Sequence, residues 1–179
     1  MFRWSAFARR IRVPLGFGLV FVYFWLAQPT FESILVGVVL VVAGLLMRAS
    51  ASGHLRKNEQ LTRSGPYAYT RNPLYLGSLV LAAGFGLAAR NWWIGAILLI
   101  YFLAIYLPVI FDEERFLRQR FPDFDAYARS VPRILPRYKA QEKNPGSFSW
   151  DLYWKHREYN AALGSGTIVA ILIAKLLWS

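Results

Sequence analysis

Five long apolar runs constrain this chain more than any other feature of its sequence. A helix needs about 17–25 apolar residues to cross a bilayer, and a run that enters lipid must be helical because its backbone groups can pair only within the segment. The runs therefore predict an all-α protein: a polytopic transmembrane bundle of about five spans in a single domain. They cover residues 13–27, 31–47, 74–89, 92–111 and 161–178.

Lysine and arginine are distributed unevenly between these runs. Four precede the first run, five lie between residues 48 and 71, and ten lie between residues 115 and 157, so 19 of the 21 share one side of a five-span arrangement. By the positive-inside rule this side is cytoplasmic. We expect a multi-pass protein with a cytoplasmic N-terminus and a C-terminus on the opposite side, in the cytoplasmic membrane of a prokaryote.

The net charge of +11 fits a bilayer surface better than nucleic acid, because the basic residues flank apolar runs and do not form one stripe. The chain has no cysteine and two histidines, His54 and His156. Thiolate metal sites and cysteine nucleophiles are thereby excluded, and we expect no metal site.

Two segments outside the runs carry structural signals. Trp150, Tyr153 and Trp154 recur at helical spacing, which predicts a short helix lying in the membrane interface. Spaced prolines prevent a long helix after Ser130, which predicts an ordered loop that returns to the membrane.

The stretch from Ser64 to Gly77 leads directly into the third run. Asn72 and Pro73 are favourable for the N-cap and first position of a helix, and Arg71 adds a cation beside that helix N-terminus. Such an end favours an anion. Gly77 leaves room for a flat ligand or a neighbouring helix, and aromatic rings that suit a nucleobase stand at Tyr67, Tyr69 and Tyr75.

Asp112-Glu113-Glu114-Arg115 closes the fourth run. Acids are unfavourable at a helix C-terminus unless they are paired. Glu114 either pairs with Arg118 four residues later, or one glutamate awaits a ligand cation. With the loop that follows, these stretches predict one pocket built from residues 63–77 and 112–137.

The same stretches resemble the isoprenylcysteine carboxyl methyltransferase and phospholipid methyltransferase family of integral membrane methyltransferases. Asn72 stands where the family pattern has a histidine, and asparagine cannot change its charge near neutral pH. The matching motifs are Gly65-Pro66-Tyr67, Arg71-Asn72-Pro73, Tyr75, Gly77, Glu113-Glu114 followed by Leu117, Tyr127, and Val131-Pro132 followed by Pro136.

The resemblance implies S-adenosylmethionine bound from the cytosol and a lipophilic methyl acceptor entering from the bilayer. The acceptor is a prenylcysteine carboxylate, a phospholipid amine, or a small lipophilic thiol or amine. Catalytic roles on the acceptor side are expected for Arg133 and Tyr127. Cofactor-binding roles carry over to Gly65, Tyr67, Arg71, Asn72, Tyr75, Gly77, Glu113 and Glu114.

Two other functions fit the sequence. An NADPH-dependent membrane reductase related to sterol reductases would bind a nicotinamide cofactor in a comparable place. A non-enzymatic lipid-binding membrane protein would explain the spans, the basic loops and the aromatic residues. Binding of the two cofactors, and methyl transfer to lipid, separate these alternatives.

Overall fold

The computed structural model describes residues 4–57, 59–140 and 146–178, with the backbone alone at residues 4–6, 8–9 and 12–13. Arg3 and Lys143, which contribute to the charge bias, lie outside the described residues. The described chain forms helices and connecting loops without strands, which confirms the all-α prediction. The helices are α1 Trp4–Leu26, α2 Phe31–His54, α3 Pro73–Ala89, α4 Trp92–Tyr101, α5 Leu107–Arg120, α6 Phe124–Ser130, α7 Trp150–Lys155 and α8 Tyr159–Trp178, with a 3-10 turn at Gly65–Ala68 and a π-helical segment at Phe102–Tyr106.

Each predicted run corresponds to an apolar helix. Among the described residues, three helices are long and apolar enough to cross a membrane: Phe31–His54, the continuous Trp92–Arg120, and Tyr159–Trp178. The apolar parts of α1 and α3, Pro14–Leu26 and Pro73–Ala89, are shorter. The second and fourth helices continue past the ends of the apolar runs at residues 47 and 111, because backbone hydrogen bonding extends them into polar sequence.

Helices α2 and α3 form a tight antiparallel pair. A Cβ atom added at Gly37 would lie 2.6 Å from the carbonyl oxygen of Gly84, and one added at Gly44 would lie 2.8 Å from that of Gly77. Small residues allow this direct backbone contact, which stabilises helix pairs in lipid. The pair forms the centre of the bundle.

Helices α1, α4 and α8 pack against this pair at the end that carries the two short turns. Tyr23, Ile34, Ile94 and Leu172 bring α1, α2, α4 and α8 into one apolar cluster. Outside it, large apolar side chains are exposed, such as Trp25 at 86%. So broad an apolar surface is unfavourable in water and suits contact with lipid.

The opposite end of the bundle, called the basic end below, contains the start of α3, the end of α5, and α6 and α7. The predicted short helix is present as α7, which begins after Ser149 caps the Leu152 N–H. The backbone N–H of Ser149 donates to the Gly53 carbonyl at 3.0 Å. Trp150 and Trp154 remain exposed, so their rings are available to an interface.

Candidate functional site

Glu114 is the centre of a buried cluster of charged and amide groups at the basic end. It is 4% exposed. Its Oε2 accepts from Nε of Arg133 at 3.0 Å and also lies 3.0 Å from Nη2. Its Oε1 lies 3.5 Å from Nε of Arg71 and accepts from Nδ2 of Asn72 at 3.3 Å. We call these four residues the carboxylate–arginine cluster; one acid and two guanidinium groups leave it with a net positive charge.

Arg71 brings an unsatisfied donor to this cluster. Its Nε is buried and has no hydrogen-bond partner among the described residues, because the 3.5 Å approach to Glu114 is a charge contact without hydrogen-bond geometry. Burial lowers the pKa of Arg71 and Glu114 opposes that effect, but a guanidinium stays charged in proteins. A buried donor without an acceptor is costly, so this position suits an anionic ligand.

Asn72 holds the N-cap position of α3, but its side chain does not cap the helix. The predicted N-cap position of Asn72 and the first helical position of Pro73 are confirmed, but the side chain makes no capping hydrogen bond. Its Nδ2 instead donates to the Arg133 carbonyl at 3.0 Å as well as to Glu114.

The loop that carries Arg133 is ordered, as the prolines predict. The backbone N–H of Arg71 donates to the Pro132 carbonyl at 2.9 Å, and the hydroxyl of Thr70 donates to the carbonyls of Arg133 and Ile134. The Arg133 guanidinium lies 4.5 Å from the centroid of the Phe111 ring. The contributions of Thr70 and Phe111 were missed in the sequence, because neither belongs to a charged or proline-rich motif.

Glu113 and Glu114 point to different partners. Glu113 accepts from the Tyr75 hydroxyl at 3.0 Å, whereas Glu114 faces the two arginines. The proposed pairing of Glu114 with Arg118 is wrong, because Arg118 instead donates to Asp125 at 2.7 Å. Neighbouring helical residues are about 100° apart, so two adjacent acids cannot face one ligand in the same way.

Tyr67 and Tyr127 form the wall beside the cluster. The Tyr127 hydroxyl donates to the Tyr67 carbonyl at 2.7 Å and ties α6 to the 3-10 turn. Burial, assisted by Tyr127 and Glu113, raises the pKa of Tyr67 above its ordinary value. Gly65 begins this turn with a φ of +57°, and a Cβ there would lie 2.5 Å from the His54 ring. Both its conformation and its surroundings require glycine.

Gly77 serves helix packing. A Cβ at this position would lie 2.6 Å from Cγ of Arg48 and 2.9 Å from the Gly44 carbonyl. The sequence allowed either a flat ligand or a neighbouring helix at Gly77, and in the structure α2 lies against it. Arg48, which fills the space, bonds to Glu158 and Ser78 and links α2 to the turn before α8 and to α3.

Comparison with known proteins finds one protein family and two relatives that are named for metal resistance. Residues 11–123 match the family described as phospholipid methyltransferase. The chain is 36% identical over 129 residues to the cobalt-zinc-cadmium resistance protein CzcN of Cupriavidus metallidurans, across 72% of this chain and 57% of that protein. It is 35% identical over 114 residues to the nickel-cobalt-cadmium resistance protein NccN of Alcaligenes xylosoxydans xylosoxydans, across 63% of this chain and 53% of that protein.

The chain thus spans little more than half the length of these curated relatives. No solved structure matches it. Within the described ranges, no group of three or more histidine, aspartate or glutamate side chains is arranged to hold a metal ion. The family match covers well over half of the chain and includes every member of the carboxylate–arginine cluster except Arg133. This chain is a membrane protein that belongs to the phospholipid methyltransferase family.

Proposed function

We propose that this protein transfers a methyl group from S-adenosylmethionine to a lipophilic acceptor. Family membership supports the reaction class. The observation that carries the proposal is the convergence of motif residues from two distant stretches, Arg71 and Asn72 with Glu114, at one buried point of the basic end. Helix packing alone does not require a buried guanidinium with an unsatisfied donor there.

The residues at this point fit the charged ends of S-adenosylmethionine, which supplies an electrophilic methyl group when bound. We assign its carboxylate to Arg71, whose buried Nε lacks an acceptor, beside the N-terminus of α3. We assign its amino group to Glu113, because two arginines already neutralise Glu114. Tyr67 and Tyr75 supply aromatic walls for the adenine ring.

On the acceptor side we assign orientation to Arg133. Its side chain is 39% exposed and its guanidinium contacts both Glu114 and the Phe111 ring, so the group is held in place while part of the side chain stays accessible. Tyr127 is 5% exposed and its hydroxyl proton already bonds to the Tyr67 carbonyl. We therefore assign Tyr127 a positioning role in place of proton transfer. The basic end faces the cytoplasm in this proposal, with the N-terminus inside and the C-terminus outside.

Cofactor binding by the protein purified in detergent tests the proposal. We expect calorimetric binding of S-adenosylmethionine, weakened at least tenfold by Arg71→Gln or Glu113→Gln. Arg118→Gln is the matched control, because its ion pair is about half exposed and lies outside the cluster. If S-adenosylmethionine gives no heat while NADPH raises the unfolding temperature, the reductase is the correct function. If neither binds and no labelled methyl group reaches a lipid extract, a lipid-binding role replaces the enzyme.

Asn72 offers a sharper test, because it stands at the family's histidine. Its amide donates to Glu114 and to the Arg133 carbonyl, and a neutral imidazole can supply one of these two donations through its ring N–H. We expect Asn72→His to retain cofactor affinity within about threefold, about 0.7 kcal/mol, and Asn72→Leu to lose it. An equal loss of cofactor affinity in both variants would show that hydrogen-bond donation by this side chain does not maintain the site.

A further inference from the structure

The short helix α7 carries a row of exposed aromatic rings at the basic end. Trp150 and Trp154 are 65% and 58% exposed and lie one helical turn apart, so their rings share one face. Tyr153 lies between them, with its ring centroid 5.6 Å from that of each tryptophan. Rings of this kind are favoured at the headgroup level of a membrane, because an apolar body and a polar edge are both satisfied there.

Two pairs of basic residues that are distant in sequence meet beside these rings. Arg56 and Lys57 follow the end of α2, whereas Lys155 ends α7 and Arg157 comes just after it. All four are exposed. Lys155 lies 3.5 Å from Glu59, and both of these side chains are at least 60% exposed. Such a pair contributes little to stability, so Lys155 can exchange it for another anion.

The last turn of α2 holds α7 in this place. The Ser149 N–H donates to the Gly53 carbonyl at 3.0 Å, and Nδ1 of His156 lies 3.2 Å from the Ser52 carbonyl. These two contacts lie immediately before and after α7, so the helix is attached to α2 at both of its ends. The basic residues of the two segments are therefore presented together by the fold.

The junction between α7 and α8 separates a buried acid from an exposed base. Arg157 has a φ of +53°, which is an uncommon conformation for a residue with a side chain. Glu158 is buried and accepts from Nε of Arg48 at 2.5 Å, whereas Arg157 is exposed. The acid is thus neutralised inside the bundle, and the guanidinium beside it remains outside.

The same four cations lie next to membrane-spanning helices. Helix α2 ends at His54 and α8 begins at Tyr159, and both are long and apolar enough to cross a membrane. Each of the four basic residues is within four positions of one of these two ends. Their charges are therefore placed at the surface of the bilayer, where the anions are lipid phosphates.

We propose that α7, with Arg56, Lys57 and Arg157, forms a patch that binds the headgroups of anionic phospholipids. Two exposed acids, Glu59 and Asp151, stand against the four cations, so the net charge of the patch is +2. The rings hold the helix in the interface, and the long basic side chains extend from it towards the phosphates. Each basic residue near such a surface raises the affinity about fivefold, which corresponds to about 1 kcal/mol.

The test is native mass spectrometry of the detergent-purified full chain, mixed with equal amounts of phosphatidylglycerol and phosphatidylcholine that carry the same acyl chains. Phosphatidylglycerol has no amine or thiol, so its binding does not depend on the proposed methyl transfer. We expect at least fivefold more adducts of phosphatidylglycerol than of phosphatidylcholine. The double variant Lys155→Gln, Arg157→Gln should lower the phosphatidylglycerol adducts at least tenfold.

Two further double variants separate the patch from the general positive charge of the basic end. Arg120→Gln with Arg129→Gln is the matched control, because it removes the same charge from two exposed positions on α5 and α6. It should change the adducts less than twofold. Trp150→Ala with Trp154→Ala should lower the adducts of both lipids, because the rings contact the interface whatever the headgroup charge. Unchanged adducts in this variant would contradict a role for the rings.

Hydrogen exchange of the wild type keeps the proposal testable if a variant does not fold. Phosphatidylglycerol should slow the exchange of backbone amides in residues 148–158 and leave residues 120–130 unchanged. Equal adducts of the two lipids, an equal loss in the Lys155, Arg157 variant and its control, or protection only outside 148–158 would overturn the proposal.

Other occupants of the patch give different results. Displacement of phosphatidylglycerol by the same concentration of glycerol 3-phosphate would contradict a lipid site, because the phosphate alone would then suffice. Protein dimers that disappear in the Lys155→Gln, Arg157→Gln variant, without any phosphatidylglycerol adduct, would assign the patch to a second copy of this chain.

Discussion

Replacement of Glu114 by glutamine tests whether the cluster is a buried charge network. The carboxylate is 4% exposed and contacts two arginines within 3.5 Å. Glutamine keeps the size but removes the charge, so the largely buried guanidinium of Arg71 and the partly exposed one of Arg133 are left without an anion. Breaking a buried pair in this way costs about 3–5 kcal/mol, which corresponds to a fall in unfolding temperature of roughly 10 °C for a chain of this size.

The assay is thermal unfolding in detergent, followed by circular dichroism. Asp125→Asn is the control, because it removes a 2.7 Å ion pair with Arg118 in which both side chains are about half exposed; such a pair contributes about 1 kcal/mol or less. A second substitution that removes Arg71 should restore part of the unfolding temperature lost in Glu114→Gln. Arg133 would then be the single cation of the cluster left without an anion. Equal falls for Glu114→Gln and Asp125→Asn would refute the reasoning.

Three further predictions concern the tyrosines beside the cluster and the contact between α2 and α3. Tyr127→Phe deletes the 2.7 Å hydrogen bond to the Tyr67 carbonyl. It should lower the free energy of unfolding by about 1–3 kcal/mol, measured by chemical unfolding. An unchanged free energy of unfolding would contradict the presence of this buried hydrogen bond. Gly77→Ala should lower the free energy of unfolding by about 1–3 kcal/mol through overpacking, measured by SDS titration. Gly164→Ala should not lower it, because a Cβ at Gly164 would have nothing within 4 Å. If Gly164→Ala unfolded at a lower SDS concentration than Gly77→Ala, the close α2–α3 contact would be refuted. Because burial raises the pKa of Tyr67, its contribution to stability is complete below about pH 10 and is lost as pH rises further. Between about pH 8 and pH 11, the unfolding temperature should therefore fall less steeply with pH in Tyr67→Phe than in the wild type. Identical pH dependence of the unfolding temperature in the two proteins would contradict this.

The sequence predicted the parts of this fold that depend on composition along the chain. Apolar runs report which stretches contact lipid or the bundle interior, and all five became helices. The prolines after Ser130 predicted an ordered loop because they remove backbone donors whatever the surroundings. The joining of residues 63–77 to 112–137 was also predicted, because the start of α3 and the end of α5 must lie at the same end of the bundle.

Pairings between side chains were predicted less well. The helical spacing of Glu114 and Arg118 suggested a bond, but the two arginines brought from loops are closer partners. Helical spacing identifies a possible partner four residues away, but it does not show whether residues distant in sequence lie closer in the folded protein. The link between Arg48 and Glu158 has a sequence separation of 110 residues, and neither residue belongs to a motif. The π-helical segment was missed because its surroundings are apolar on all sides and show no periodicity.

The π-helical segment also has a consequence for how insertions and deletions act on this protein. It accommodates one residue more than a regular helix would between α4 and α5. Deleting a single residue within 102–106 would restore regular hydrogen bonding and leave the helix beyond it in nearly the same orientation. Glu113 and Glu114 would then keep their places beside Tyr75 and the two arginines. We therefore expect the loss of one residue within 102–106 to be tolerated better than a one-residue deletion in the regular helix on either side, which turns everything beyond it by about 100°.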